Sequence, residues 1–161
     1  MGDSSDGLTH IDDRGNARMV EIGGKEITNR VALAEGWITL SKSAWDAVEA
    51  RGVKKGDVLT IAQLAGITGA KRTADLIPLC HPLPLTAVEV VLSLTAPDRI
   101  HVSATVRTRW RTGVEMEAMT AVSTALLTVY DMVKSIDKGP VIGPIQLVEK
   151  RGGRSGTWIR D

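Results

Sequence analysis

The sequence predicts an α+β two-layer sandwich, with helices packed on an antiparallel sheet, from three observations. Residues 87–94 and 100–108 alternate apolar and polar side chains on either side of Ala96-Pro97-Asp98, the pattern of an antiparallel hairpin. Met119, Val122, Leu126, Val129 and Val133 recur every three or four residues, which marks one buried face of a long helix. Strand pairs are followed by helices along the chain, an order that suits one sheet covered on one face.

The elements follow in order. Residues 17–22 and 27–40 read as strands, the second with Val31, Leu33 and Ile38 in alternation. Ser41 or Ser43 caps a helix over 44–50 that Gly52 stops. Residues 54–57 form a turn whose Asp57 caps a second helix over 58–70. Pro78, Pro82 and Pro84 force 76–84 into an extended or looped path. After the hairpin and the long helix, 141–149 is a last strand, and a flexible basic tail begins at about residue 152. Residues 8–161 form one domain behind a disordered tail at 1–7. The ferredoxin-like arrangement is the first expectation within this class.

Composition narrows the function. Hydrophobic residues make up 43% and charged residues 24% of 161, as in a folded globular protein. With no Phe, one Tyr and four Trp, a site has few rings on which to stack bases. A net charge of +1 argues against a protein that coats nucleic acid. Cys80 is the only cysteine, so no intrachain disulfide forms, which fits a reducing compartment. No stretch is apolar enough to cross a bilayer, and the first seven residues lack the apolar core of a signal peptide. A cytoplasmic location is expected.

Chemistry concentrates in a few segments. Thr112-Gly-Val-Glu115 reads as a capping box, with Glu115 folding back on the cap. That reading leaves Glu117 unexplained. If the chain is still extended there, the two carboxylates share a side and could accept adjacent N–H donors of a guanine-like or pterin-like edge. Asp131 and Lys134 lie three apart on the helix flank, either as a surface ion pair or as an aspartate orienting a catalytic lysine. The aspartate would raise the lysine pKa, so a lysine base also needs burial or a second cation. Lys55 is a candidate for that cation, or a solvated turn lysine. Prolines on both sides of Cys80-His81 stiffen a loop that points a histidine outward as a phosphate ligand or proton donor. No CxxC or HxxxH partner accompanies that pair, so a zinc site is rejected. Arg30, Lys71, Arg72, Lys150, Arg151 and Arg154 supply basic groups near element ends, which hints at a local anion site.

Taken together, Leu8-Thr-His-Ile11, Met19-Val20, Lys55-Gly-Asp57, Ala70-Lys-Arg-Thr73, Asp75-Leu-Ile-Pro-Leu-Cys-His-Pro82, Thr112–Ala118, Leu127–Lys134 and Gly152–Gly156 resemble the cyclic pyranopterin monophosphate synthases of molybdenum-cofactor biosynthesis. The matching segments run in the family's order from residue 8 to residue 156. The resemblance implies conversion of 3′,8-cyclo-7,8-dihydro-GTP to cyclic pyranopterin monophosphate and diphosphate. Such chemistry needs acid/base groups and cations but no redox cofactor or protein-bound metal, and any magnesium would arrive with the triphosphate.

It also implies roles for particular positions. Lys55 and Lys134 match the family's catalytic lysines and Asp131 its aspartate. Arg30, Lys71, Cys80, His81, Glu115, Met116, Glu117 and Lys150 match substrate-binding positions, the cations holding phosphate and the two acids reading the pterin. A homo-oligomer is implied, a hexamer built as a trimer of dimers with sites shared across subunit boundaries. Two positions depart from the family pattern: Glu21, where relatives often carry Asp, and Trp110, where a smaller residue is expected. The rival readings are a non-catalytic carrier of the pterin intermediate and a general nucleotide or RNA binder.

Overall fold

The computed structural model describes residues 10–51 and 57–161. The expectations for the tail at 1–7, the Gly52 stop and Lys55 lie outside those residues. Nine elements run in order: β1 (Thr28–Thr39), α1 (Lys42–Glu49), α2 (Val58–Lys71), α3 (Thr73–Leu76), β2 (Leu85–Thr95), β3 (Arg99–Trp110), α4 (Glu115–Val133), β4 (Val141–Arg151) and β5 (Trp158–Ile159).

The strands form one antiparallel sheet in the order β2-β3-β1-β4-β5. Each helical crossover therefore skips one strand: β1 to β2 passes β3, and β3 to β4 passes β1. That is the split βαβ connection of a ferredoxin-like sandwich.

Local chemistry accounts for the elements. Ser41 Oγ accepts the Ala44 N–H at 3.3 Å and starts α1, and Asp57 Oδ1 accepts the Thr60 N–H at 3.1 Å and starts α2. Alternate residues of β1 (Ala32, Ala34, Ile38) and β3 (Ile100, Val102, Ala104, Val106) are buried against Ala118, Ala121, Val122, Ala125, Leu126, Val129 and Val133 of α4. The other face of β1 and β3 carries half-buried polar groups. There the Glu35 carboxylate meets His101 Nε2 at 3.2 Å and Gln146 Nε2 at 2.9 Å.

Small residues set the spacing of the helical layer. A Cβ on Gly66 of α2 would lie 3.0 Å from the Ala121 carbonyl oxygen and 3.3 Å from the Ala125 Cβ, so the two helices touch nearly backbone to backbone. Among the described residues, no helix is long and apolar enough to cross a membrane.

Three expectations need correction. Residues 17–22 form no strand: the segment carries one isolated bridge, Ala17 to Ile11, and has no sheet partner to pair with. The looped path expected from residue 76 begins one residue later, because Thr73–Leu76 form the short α3, whose Thr73 hydroxyl donates back to the carbonyls of Gly69 and Ala70. Sequence periodicity also ended at the fourth strand. Beyond it, Gly152 N–H donates to the Gly156 carbonyl at 3.1 Å, and the chain returns as β5 beside β4. Two residues are too few to leave an alternation signal.

Candidate functional site

The inward face of β1 turns polar where the helical layer ends. Ile38, Gly36, Ala34 and Ala32 face α4, and the same alternation continues through Arg30 and Thr28, past the start of that helix. Strand pairing brings the other walls to the same end of the sheet. Arg30 pairs with Thr108 of β3 and Ala32 with Lys150 of β4, and β3 leads through residues 111–114 into α4. The result is a cavity of about 810 Å³ lined by Lys25, Arg30, Arg111, Lys150, Arg154 and Glu115, among others.

Inside it, Lys150 Nζ lies 3.1 Å from Glu115 Oε1, both side chains about one-third exposed. Arg30 Nη2 donates to the Arg111 carbonyl at 3.4 Å, and its buried Nε has no hydrogen-bond partner among the described residues. Gly153 makes room for that guanidinium, and Gly152 for the Asn29 carbonyl beside it. Gly152 (φ +100°) and Gly153 (φ +75°) lie in the left-handed region, and a Cβ on Gly153 would overlap the Arg30 guanidinium. Five cations face two carboxylates, Glu26 and Glu115, around one opening, which suits a polyanion.

The capping box does not form. Val114 is the N-cap residue of α4 and no side chain caps it, because Glu115 is already helical and its carboxylate reaches Lys150. Nor do Glu115 and Glu117 share a side, since the helix has begun and residues two apart diverge. Glu117 turns inward and is only 4% exposed. Burial, aided by the Glu115 charge, raises its pKa from 4.5 to about 7, against the helix dipole that favours the anion. Cys80 is close enough for the Glu117 charge to act on it. Its half-buried thiol is pushed up first by burial and then by that charge, and stays protonated at neutral pH. His81 follows, half-buried, and Met116 is 40% exposed on the outer side of the α4 N-terminus.

Lys71 ends α2, exposed, beside a separate and shallower depression of about 370 Å³. Asp131 and Lys134 are at the other end of α4. Their side chains meet at 2.7 Å, both more than half exposed, and the hydrogen bond that the Lys134 ammonium donates to the Asp131 carboxylate holds the Lys134 pKa above the usual lysine value. Nineteen helical steps separate Lys134 from Glu115, roughly 28 Å along the axis. Of the expected site residues, Arg30, Glu115 and Lys150 line the cavity, Asp131 and Lys134 lie far from it, and Lys71, Cys80, His81, Met116 and Glu117 stand outside its lining. Among the described residues, no three of His, Cys, Asp and Glu converge as metal ligands.

Sequence reasoning missed Lys25, Thr28 and Arg111 as cavity residues and named Arg154 only among the basic groups that hint at a local anion site. One signal was available, the polar Thr28 and Arg30 on the inward parity of an otherwise apolar strand. Lys25 and Arg154 lie outside strong periodicity and left none.

Comparison with known proteins follows the same segments. A family model described as the MoaC family matches residues 19–153. A protein of Novosphingobium aromaticivorans named cyclic pyranopterin monophosphate synthase is 59% identical over 151 residues, 94% of this chain and 96% of its own length. A Rhodospirillum rubrum protein of the same name is 56% identical, over 96% of this chain and 94% of its own. A third, from Streptomyces coelicolor, is 54% identical over 98% of this chain and 92% of its own.

Proposed function

The chain belongs to the MoaC family, and on that premise we propose that it is an enzyme of molybdenum-cofactor biosynthesis that converts 3′,8-cyclo-7,8-dihydro-GTP to cyclic pyranopterin monophosphate and diphosphate. The observation that carries the reading to this molecule is the cavity where Arg30, Lys150 and Glu115 meet, cationic enough for a triphosphate and edged by an acid. In that reaction a sugar hydroxyl displaces diphosphate from the α-phosphorus, and the purine-derived ring opens and recloses as a pterin. Proton transfers and charge neutralisation suffice, with no redox cofactor and with any magnesium arriving on the substrate.

Arg30, Lys71, His81 and Lys150 neutralise phosphate charge. Glu115 and Glu117 read the pterin edge, and Glu117, whose pKa near 7 keeps a substantial protonated share at neutral pH, adds a donor to the acceptor that Glu115 provides. Cys80 and Met116 contact the substrate beside them. Lys55 and Lys134 move protons, with Asp131 orienting Lys134. Because Asp131 favours the charged lysine, Lys134 serves as the acid unless a second cation approaches it.

The roughly 28 Å of helix between Glu115 and Lys134 exceeds what one substrate spans, which supports an active site completed by a second copy of the chain, and the resemblance implies that the copies form a hexamer built as a trimer of dimers. The single cysteine is consistent with work in the cytoplasm.

The test is diphosphate release by the purified protein given the cyclised dihydro-GTP, beside Lys55→Ala. Release by the native protein, slowed at least about 100-fold in the variant, is expected. Binding without release would make the protein a carrier, and equal release by both would remove Lys55 from the chemistry.

A further inference from the structure

Among the described residues the segment before β1 has no sheet partner, yet it forms a wall of the cavity. Its hold on the fold comes largely from one side chain. Arg111, the first residue after β3, donates from Nη1 to the Gly23 carbonyl and to the Lys25 carbonyl, the latter at 2.6 Å. Those two bonds join residues 86 and 88 positions apart in sequence. The turn is closed within itself by Lys25 N–H donating to the Ile22 carbonyl at 3.0 Å and by the Glu21 carboxylate accepting from the Gly23 N–H. Among the described residues Glu21 hydrogen-bonds only within the turn, and Arg111 supplies the long-range tie. The turn presents Gly24, Lys25 and Glu26 to the cavity.

We propose that Arg111 is a positioning residue: its guanidinium clamps the Gly23–Lys25 turn so that the Lys25 ammonium is held over the cavity as a further ligand for the substrate's phosphates. A guanidinium suits this task, since its charge strengthens bonds to carbonyl oxygens and it stays protonated at any working pH. A lysine on a loosely held turn would lose more freedom on meeting an anion and would bind it more weakly, and the clamp removes that loss beforehand. Arg30 is independent of this device, because it meets the main-chain carbonyl of Arg111, which side-chain substitution leaves in place.

The inference rests on the proposed reaction only for its kinetic arm. Five proteins decide it: native, Arg111→Met, Lys25→Ala, the double variant, and Arg111→Lys as the conservative control. In the substrate-free protein, amide exchange at residues 23–26 is expected to quicken at least about tenfold in Arg111→Met, with partial recovery in Arg111→Lys. With substrate, KM is expected to rise about tenfold in Arg111→Met and in Lys25→Ala, with kcat changed less than threefold. The double variant is expected to match Lys25→Ala alone, because the clamp acts through Lys25. Unchanged exchange would overturn the clamp. A native KM in Lys25→Ala, or losses that multiply in the double variant, would overturn its action through Lys25. A native protein that leaves the substrate untouched would sink the proposed reaction and leave the exchange arm to decide the clamp.

Discussion

Glu117 carries a carboxyl group in the first turn of α4, where the helix dipole favours its anion and burial opposes it. Burial is the larger effect, and it has a consequence for stability. The folded protein binds the Glu117 proton with a pKa near 7, against about 4.5 when unfolded. Between those values the native state holds the extra proton, so this group's contribution falls as pH rises through the window and is fully unfavourable above it. The difference is on the order of 3 kcal/mol. Glu117→Gln is therefore expected to be more stable than the native protein at pH 8 and to lose that advantage near pH 4.5. Urea unfolding midpoints at the two pH values check it, and an advantage that persists unchanged at low pH would mean that ionisation is not the cause.

At the scale of elements, the antiparallel pair α2 and α4 is set by what its facing side chains lack. Gly66 meets the Ala121 carbonyl, Ala125 and Val90 at 3.0–3.3 Å from the place of a missing Cβ. A branched side chain there must push the helices apart and loosen the packing of α4 on β1 and β3. Gly66→Val is expected to lower stability by about 1–3 kcal/mol, despite the higher helix propensity of valine. Thermal unfolding checks it. A melting temperature at or above that of the native protein would show that the layer has room to spare. The position matters for the site as well, because α4 carries Glu115 and Glu117 at one end and leads to Lys134 at the other.

At the scale of the whole molecule, the separation of Lys134 from Lys150 leads to a complementation experiment. If each site takes Lys150 from one copy and Lys134 from another, Lys150→Ala and Lys134→Ala proteins are each nearly inactive. Dissociated and reassembled together, they are expected to regain up to about a quarter of native turnover, since random pairing builds some intact sites. Absence of recovery in mixed assemblies whose composition has been verified would place both lysines in one subunit's site.

The sequence by itself determined the layer architecture. The 3.6-residue period of α4 and the two-residue period of β2 and β3 come directly from which side chains must leave water. The Ser41 and Asp57 caps are read equally well, because a cap is a local bond between near neighbours. The residues at 17–22 were misread because alternation reports an amphipathic ribbon, not whether a neighbouring strand exists to receive its hydrogen bonds. The capping box at Thr112 failed for a related reason: Glu115 had a distant competitor for its carboxylate, Lys150, which no local pattern reveals. Motif resemblance named candidate residues for the chemistry, but it could not say which of them meet within one subunit. Tertiary structure decided that, by running β1 past the end of α4 and bringing Arg30, Lys150 and Glu115 to one opening while the length of α4 carries Asp131 and Lys134 away from it. Side-chain periodicity is a property of a few consecutive residues, whereas a site is a coincidence of strand ends, and only the folded chain fixes where those ends fall.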